Sequence, residues 1–237
     1  MPISLRDKVA LVIGASSGVG QACATMLASE GAKVMASARR EERLQQLRSS
    51  TGVEIFAADA TNAAQMTTLA EETAARLGPI DILIYATGTN TRDRYLPRLT
   101  PAVWNEMIAT NLDGAFYAAH AVLPAMRSRK QGHLVFISSI SGFAPDASGA
   151  SYQASKRGLI GLAHAIRYEE KENGIRTTVV NPGLIDSELL AKRPVQPTPE
   201  QLAVAMLPEH VAEAVLACVK LPPRAVIPEL TIMPSAM

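Results

Sequence analysis

Tyr152 and Lys156 carry side chains that can move a proton, and they lie four residues apart in the segment Ser151-Tyr152-Gln153-Ala154-Ser155-Lys156. Ser139, a hydroxyl that could bond the same reacting atom, lies upstream. On a helix, residues i and i+4 share a face, so the ammonium would lie beside the phenol and favour its ionised form. A cation about 4 Å away at an effective dielectric of about 20 is worth roughly 4 kcal/mol, or about three pKa units. We therefore expect Lys156 to bring the pKa of Tyr152 near neutral pH, where a general acid works best. Taken alone, the pair could equally be an exposed helical pair worth about 0.2–0.5 kcal/mol.

A glycine-rich turn near the start of the chain is the second motif. The apolar run over 8–13 predicts a buried parallel strand, and Gly14-Ala15-Ser16-Ser17-Gly18-Val19-Gly20 follows at once. Small and apolar residues then recur at helical spacing. Strand, glycine turn and helix are the context in which a backbone approaches a dinucleotide pyrophosphate and a helix N-terminus offers free N–H groups. The alternative is a turn that only connects a strand to a helix.

The end of the second predicted strand indicates which dinucleotide the turn would bind. In NAD-binding units an acidic residue near this point holds the ribose 2′-hydroxyl, but Ala38 offers no carboxylate, and Arg39 and Arg40 follow it. Arginine presents a fork of donors suited to a phosphate. The sequence therefore favours NADP(H), with NAD(H) as the alternative if both arginines only begin the charged helical segment 41–48.

Composition excludes several classes of protein. Of the 237 residues, 48% are hydrophobic and 19% are charged, which is typical of a globular chain. The net charge of +1 gives no electrostatic case for binding nucleic acid or an anionic membrane surface. No apolar run approaches the roughly 18 residues of a membrane span, and no His/Cys spacing predicts a metal site. Cys23 and Cys218 lie in apolar helical stretches, and we expect free thiols in a reducing, cytoplasmic compartment.

Strand and helix patterns alternate along the whole chain. The predicted strands are 8–13, 33–37, 53–57, 80–85, 132–138, 175–180 and 225–232, and the predicted helices are 18–30, 41–49, 62–76, 101–127, 150–172, 200–206 and 209–219. Such alternation implies right-handed crossovers and a parallel sheet covered on both faces. The fold class is therefore α/β, a doubly wound, Rossmann-like parallel sheet of about seven strands. No linker divides the chain, so residues 1–237 are predicted to form a single dinucleotide-binding and catalytic domain.

Further motifs follow one another in order along the chain. Asp59-Ala60-Thr61 follows the third predicted strand, Asn111 lies in Thr110-Asn111-Leu112, Ser139 ends the fifth strand, and Asn181-Pro182-Gly183 precedes Ser187. Together with the glycine turn and the Tyr152/Lys156 pair, this set resembles the classical short-chain dehydrogenase/reductase family over nearly the full length of the chain.

The resemblance implies catalytic residues and cofactor contacts. The implied catalytic tetrad is Asn111, Ser139, Tyr152 and Lys156. The implied cofactor contacts are Gly14, Ser16, Ser17, Gly18, Val19, Gly20, Arg39, Arg40, Asp59, Ala60, Gly88, Tyr152, Lys156, Pro182, Gly183, Ile185 and Ser187. In this family's reaction, hydride passes between NADP(H) and a ketone or aldehyde, with the tyrosine as proton donor and the asparagine positioning a water beside the lysine. The resemblance also implies a homotetramer or a homodimer.

Two departures from the family pattern affect the strand ends that would lie beneath the cofactor. Ile13 replaces the threonine that leads the glycine turn, and Tyr85-Ala86-Thr87-Gly88 replaces N-N-A-G after the fourth strand. The missing asparagines are implied to stabilise the strand ends, so the local hydrogen bonding must be made differently here.

Loops are expected to form the wall of the substrate site, because loops usually carry specificity. The predicted segments are 89–98, 140–148 and a substrate loop at about 184–200. Leu184, Leu189, Leu190, Phe143 and Tyr95 suggest an apolar pocket for a small carbonyl or alcohol. Arg92, Arg94, Lys192 and Arg193 could meet an acidic group, but exposed loop charge is the commoner explanation.

Two other functions fit the same motifs. One is a sensor or scaffold that binds NADP(H) without turnover, since fold alone does not settle function. The other is an epimerase or dehydratase that uses the same Tyr/Lys pair with a tightly held NAD.

Overall fold

Seven parallel strands form the centre of this computed structural model, which describes residues 2–236. The strands are β1 (Val9–Ile13), β2 (Lys33–Ala38), β3 (Glu54–Ala57), β4 (Ile82–Tyr85), β5 (Gly132–Ile137), β6 (Ile175–Pro182) and β7 (Glu229–Ile232). They lie in the order β3-β2-β1-β4-β5-β6-β7, and each neighbouring pair is parallel. The doubly wound parallel sheet predicted from the alternating pattern is therefore confirmed.

Helices cover both faces of the sheet. They are α1 (Gly18–Ser29), α2 (Glu41–Thr51), α3 (Ala63–Leu77), α4 (Pro101–Ile108), α5 (Gly114–Arg129), α6 (Ala150–Glu170), α7 (Pro199–Val204) and α8 (Pro208–Val219). Successive strand residues point to opposite faces: Val12 and Ile84 pack in the layer with α1, α2 and α8, whereas Leu11 and Leu83 pack in the layer with α3, α5 and α6. Burying each such side chain contributes roughly 1.5–3 kcal/mol, so the two layers hold the strands in register.

The strand order reverses beside β1, and this reversal positions the site. After β1 the chain moves to β2 and β3 on one side, and it returns to β4 on the other side. The loops that leave β1 and β4 therefore diverge at the carboxyl ends of the strands. In open α/β sheets, this divergence makes the crevice in which ligands bind.

Most predicted boundaries agree with the structure to within two residues, but two elements differ by more. The helix predicted over 101–127 is interrupted by one π-helical turn, Ala109–Asp113, which separates α4 from α5. The last strand begins at Glu229 and not at 225. Pro222, Pro223 and Pro228 precede it, and proline has no N–H to donate to a neighbouring strand.

Candidate active site

A cavity of about 700 Å³ opens at the carboxyl ends of the strands. It is lined by most of the residues that the motifs predicted: Gly14, Ser16, Ser17, Gly18, Val19, Arg39, Arg40, Asp59, Ala60, Gly88, Ser139, Tyr152, Lys156, Pro182, Gly183, Ile185 and Ser187. Two predicted residues do not line it: Gly20 packs against Gly14, and Asn111 is hydrogen-bonded to Thr89, and both of these partners line the cavity. Motifs that are far apart in the sequence therefore meet in one place.

The glycine turn has the shape that a phosphate-binding cradle needs. Gly14 has φ 92°, and a Cβ there would lie 2.7 Å from the backbone nitrogen of Thr87. A Cβ on Gly20 would lie 2.3 Å from the carbonyl oxygen of Gly14, so Gly20 lets α1 start directly against the turn. The side chain of Ser17 does not cap α1. The first N–H groups of the helix therefore stay available to an anion.

Arg40 follows the end of β2 and lines the cavity beside the glycine turn. Its Nη2 donates to Ser17 Oγ at 2.7 Å and to Ser16 Oγ at 3.0 Å. Its Nη1 donates to Glu188 Oε2 at 2.8 Å, and Arg43 lies 3.4 Å from the same carboxylate. The Arg40 hydrogen bond lowers the pKa of Glu188. A carboxylate from the substrate loop thus occupies the position in which an arginine and two serine hydroxyls could hold a phosphate.

Asp59 and Gly88 also line the cavity. Asp59 Oδ1 accepts hydrogen bonds from the backbone nitrogen and the hydroxyl of Thr61, both at 2.9 Å. A Cβ on Gly88 would lie 3.3 Å from Lys156 Nζ, so this glycine leaves room for the ammonium. The glycine turn, Asp59, Gly88 and Lys156 therefore line one continuous groove within this cavity.

Tyr152 and Lys156 are almost fully buried on one face of α6, at 7% and 3% exposed. Lys156 Nζ lies 5.7 Å from the centre of the Tyr152 ring and donates to the carbonyl of Ile137 at 2.9 Å. Burial lowers the pKa of Lys156 from 10.5 to about 8.

The protonation of Tyr152 differs from the sequence expectation. Burial raises the pKa of the phenol, and the hydroxyl of Ser139 and the charges of Arg193 and Arg94 offset only part of this effect. The expectation that Lys156 brings the phenol near neutral pH is therefore wrong for this arrangement. Desolvation outweighs the helical neighbour because both groups lie in the protein interior.

Ser139 belongs to a chain of hydroxyl groups that ends at a carboxylate. Its Oγ donates to Ser141 Oγ at 3.2 Å, and Ser141 Oγ donates to Asp146 Oδ2 at 2.6 Å. Ser148 donates to both oxygens of Asp146, from its nitrogen at 2.8 Å and from its hydroxyl at 3.0 Å. Sequence reasoning missed Asp146, and an acidic residue within the predicted 140–148 loop was the signal available for it.

Asn111 and Tyr85 together tie the end of β4 to the π-helical turn. Asn111 is fully buried; its Nδ2 donates to the carbonyl of Thr89 at 3.1 Å and to Ser155 Oγ at 3.0 Å, and its Oδ1 accepts from the Thr89 nitrogen at 2.8 Å. Tyr85 Oη donates to the carbonyl of Thr110 at 2.7 Å. These bonds stabilise the strand end that lacks the family's two asparagines.

The substrate side of the cavity is more positive and less exposed than the sequence suggested. Arg94 is only 3% exposed, so the expectation of an exposed loop charge is wrong for it. Lys192 and Arg193 line the same cavity, as do Leu184, Leu189 and Leu190. Phe143 and Tyr95 do not line it and are each 43% exposed.

Two features are absent from residues 2–236. No helix in this range has both the length and the apolar character needed to cross a bilayer. In the same range, no three His, Cys, Asp or Glu side chains come together in a way that could hold a metal ion.

Comparison with known proteins gives concordant matches. The model of the short chain dehydrogenase family matches residues 8–197. An uncharacterised oxidoreductase of Staphylococcus aureus is 34% identical over 97% of this chain and 98% of its own length. The closed form of a serine dehydrogenase complexed with NADP+ superposes with a TM-score of 0.89 at 31% identity, covering 97% of this chain and 96% of that one. A metagenomic short-chain oxidoreductase in complex with NADP superposes with a TM-score of 0.85 at 31% identity, covering 98% of this chain and 99% of that one.

Proposed function

The chain belongs to the short-chain dehydrogenase family of oxidoreductases, and we propose that it interconverts a carbonyl compound and an alcohol with NADP(H). One observation carries the proposal: the Tyr152 phenol and the Lys156 ammonium are both buried and line the cavity that the glycine turn also lines. Perturbed, buried titratable groups in a cleft are a common mark of a catalytic site.

The cofactor assignment rests on the residues of the groove. Gly14 permits close backbone approach to a pyrophosphate, and Arg40 with Ser17 offers charge-assisted donors for a 2′-phosphate. Two solved relatives at 31% identity are described with NADP or NADP+, which supports the same choice here. When bound, NADPH supplies the hydride for the carbonyl carbon.

Each residue of the site has a defined task in this proposal. Tyr152 gives its proton to the oxygen that becomes the alcohol, and its raised pKa keeps that proton in place at neutral pH. Ser139 donates a hydrogen bond to the same oxygen and stabilises the charge that develops there. Lys156 lies beside the ring and stabilises the phenolate left behind. Asn111 acts at a distance, because its amide holds the backbone of Thr89 in place.

The test is the variant Tyr152→Phe assayed with a panel of ketones and aldehydes, with NADPH and NADH in parallel. We expect turnover to fall by at least about 10²-fold, the usual lower value for a positioned acid, while the dissociation constant for NADPH stays within about twofold of wild type. The matched control is Tyr168→Phe, because Tyr168 is 70% exposed on the same helix.

Two results would contradict the proposal. Wild-type turnover in Tyr152→Phe would remove this residue from catalysis. Tight NADPH binding by the wild-type protein without turnover of any carbonyl compound would favour a protein that binds the cofactor but does not react.

A further inference from the structure

Arg94 is a buried cation for which the structure provides no acidic partner. It is 3% exposed, and it donates from Nε to the carbonyl of Thr91 at 2.8 Å and from Nη2 to the carbonyl of Lys192 at 2.7 Å. Within residues 2–236, no carboxylate oxygen lies within 4.0 Å of its guanidinium, and the neighbouring Asp93 pairs with Arg98. A guanidinium has five N–H donors, so three remain for a ligand.

The other charges of the cavity do not neutralise Arg94. Asp146 is engaged by Ser141 and Ser148, and Glu188 is engaged by Arg40. The cavity lining contains six cations and three acids: Arg39, Arg40, Arg94, Lys156, Lys192 and Arg193 against Asp59, Asp146 and Glu188. Burial and the like charge of Arg193 lower the pKa of Arg94, and the carboxylate of Asp146, which forms no ion pair with Arg94, offsets only part of this effect. Buried charges in proteins are normally paired, so this arrangement is suited to an anion brought by a ligand.

The position of Arg94 restricts which ligand that is. Arg39 and Arg40 lie at the end of the cavity next to the glycine turn, whereas Arg94 packs against Gly149 at the start of α6, three residues before Tyr152. The planar guanidinium matches a carboxylate with two parallel hydrogen bonds. Lys192, whose Nζ donates to Thr89 Oγ1 at 2.5 Å, adds a second cation from the substrate loop.

We propose that the substrate carries a carboxylate and that Arg94, with Lys192, binds it in the cavity beside Tyr152. This inference rests on the proposed function, because it names the class of molecule that the same site reduces or oxidises: an oxo acid and the corresponding hydroxy acid. The leucines 184, 189 and 190 cover the short carbon skeleton between the two polar ends.

The experiment compares each acid with its own neutral ester. Reduction of pyruvate, acetoacetate and succinic semialdehyde is measured beside reduction of their methyl esters, with NADPH, for wild type, Arg94→Gln and Arg98→Gln. We expect wild type to prefer at least one acid over its ester by at least about tenfold in kcat/KM, the factor that 1.4 kcal/mol of differential binding produces. In Arg94→Gln this ratio should fall to within about threefold of one. Arg98→Gln is the matched control, because Arg98 is an exposed arginine of the same loop, and it should keep the wild-type ratio.

The acid-to-ester ratio of kcat/KM distinguishes carboxylate binding by Arg94 from a purely structural role of this residue. If Arg94 only ties the loop to the carbonyl of Lys192, its loss lowers the acid and ester rates together and the ratio stays, which overturns the proposal. A wild type that prefers none of the acids over its ester also overturns it and leaves the proposed function standing. Should Arg94→Gln fail to fold, Lys192→Gln takes its place, and an unchanged ratio there counts against the proposal.

A binding measurement covers the case in which the proposed function fails. If no carbonyl compound is turned over, calorimetric titration of succinate into the protein with NADP+ decides the inference by itself. Binding that Arg94→Gln weakens at least about tenfold supports a carboxylate site. Absence of binding, or stronger binding of inorganic phosphate than of succinate, overturns it.

Discussion

Replacing Arg40 with alanine should weaken NADPH binding and leave NADH binding almost unchanged. The guanidinium bonds Ser16 and Ser17 at the start of the glycine turn, on the wall of the cofactor groove. A hydrogen bond to a charged group contributes about 1.5–3 kcal/mol, and only NADPH carries the 2′-phosphate that would receive it.

The ion pair between Arg40 and Glu188 competes with a bound phosphate and reduces the expected loss of NADPH affinity. A phosphate bound there must replace the ion pair between Arg40 and Glu188, whose side chains are 45% and 51% exposed. A pair this exposed contributes only about 0–1 kcal/mol. The net loss in Arg40→Ala is therefore about 0.5–3 kcal/mol, which is about a 2–160-fold rise in the dissociation constant for NADPH. By the same reasoning, Glu188→Gln should tighten NADPH binding by up to about fivefold, since the competing carboxylate charge is gone.

The dissociation constants of NADPH and NADH are measured by isothermal titration calorimetry for wild type, Arg40→Ala, Glu188→Gln and Arg43→Ala. Arg43 is the matched control, because it pairs with Glu188 at 3.4 Å but does not line the cavity. The reasoning is refuted if Arg40→Ala weakens NADPH and NADH by the same factor. That result would mean that Arg40 holds the glycine turn in place through its hydrogen bonds to Ser16 and Ser17 and does not bind the 2′-phosphate.

Three further predictions concern titration, the glycine turn and assembly. Because burial lowers the pKa of Lys156 to about 8, the unfolded chain binds more protons than the folded chain between about pH 8 and 10.5. The free energy of unfolding of wild type relative to Lys156→Met should therefore rise over that window, by up to about 3 kcal/mol; a flat difference in denaturant titrations would contradict the burial argument. Gly14→Ala should weaken cofactor binding by more than about tenfold, because the new Cβ meets backbone at 2.7 Å, whereas Gly52→Ala, also at positive φ but with open space around it, should cost only about 1 kcal/mol of stability. The homotetramer that the family resemblance implies would bury the exposed aromatic side chains Trp104 of α4 and Phe116 of α5; gel filtration should give four times 25.2 kDa, Phe116→Asp should elute later, and a monomeric wild type would refute the assembly.

Local patterns predicted most of the architecture. The apolar runs of β1 and β4 are short and almost uninterrupted, as in a strand buried on both faces, and both strands form where the runs lie. The spacing of Gly14, Gly18 and Gly20 predicted the turn, because each glycine meets a local requirement. Gly14 and Gly18 have positive φ, and a Cβ on Gly14 or Gly20 would clash with nearby backbone. The sequence did not predict the π-helical turn at Ala109–Asp113, since the apolar periodicity of the flanking helices continues through it. The hydrogen bond that holds this turn comes from Tyr85 of β4, which is distant in the sequence.

The sequence by itself determined which reactive groups this chain possesses and that a glycine turn, a serine and a Tyr/Lys pair follow one another in a family order. Only the tertiary structure decided their chemical state. Tyr152 has a raised pKa, and Arg94 has no carboxylate partner within residues 2–236, because each is enclosed by segments distant in the sequence. Desolvation and the pairing of charges depend on what surrounds a group in three dimensions, and residue spacing along a chain carries no measure of that surrounding.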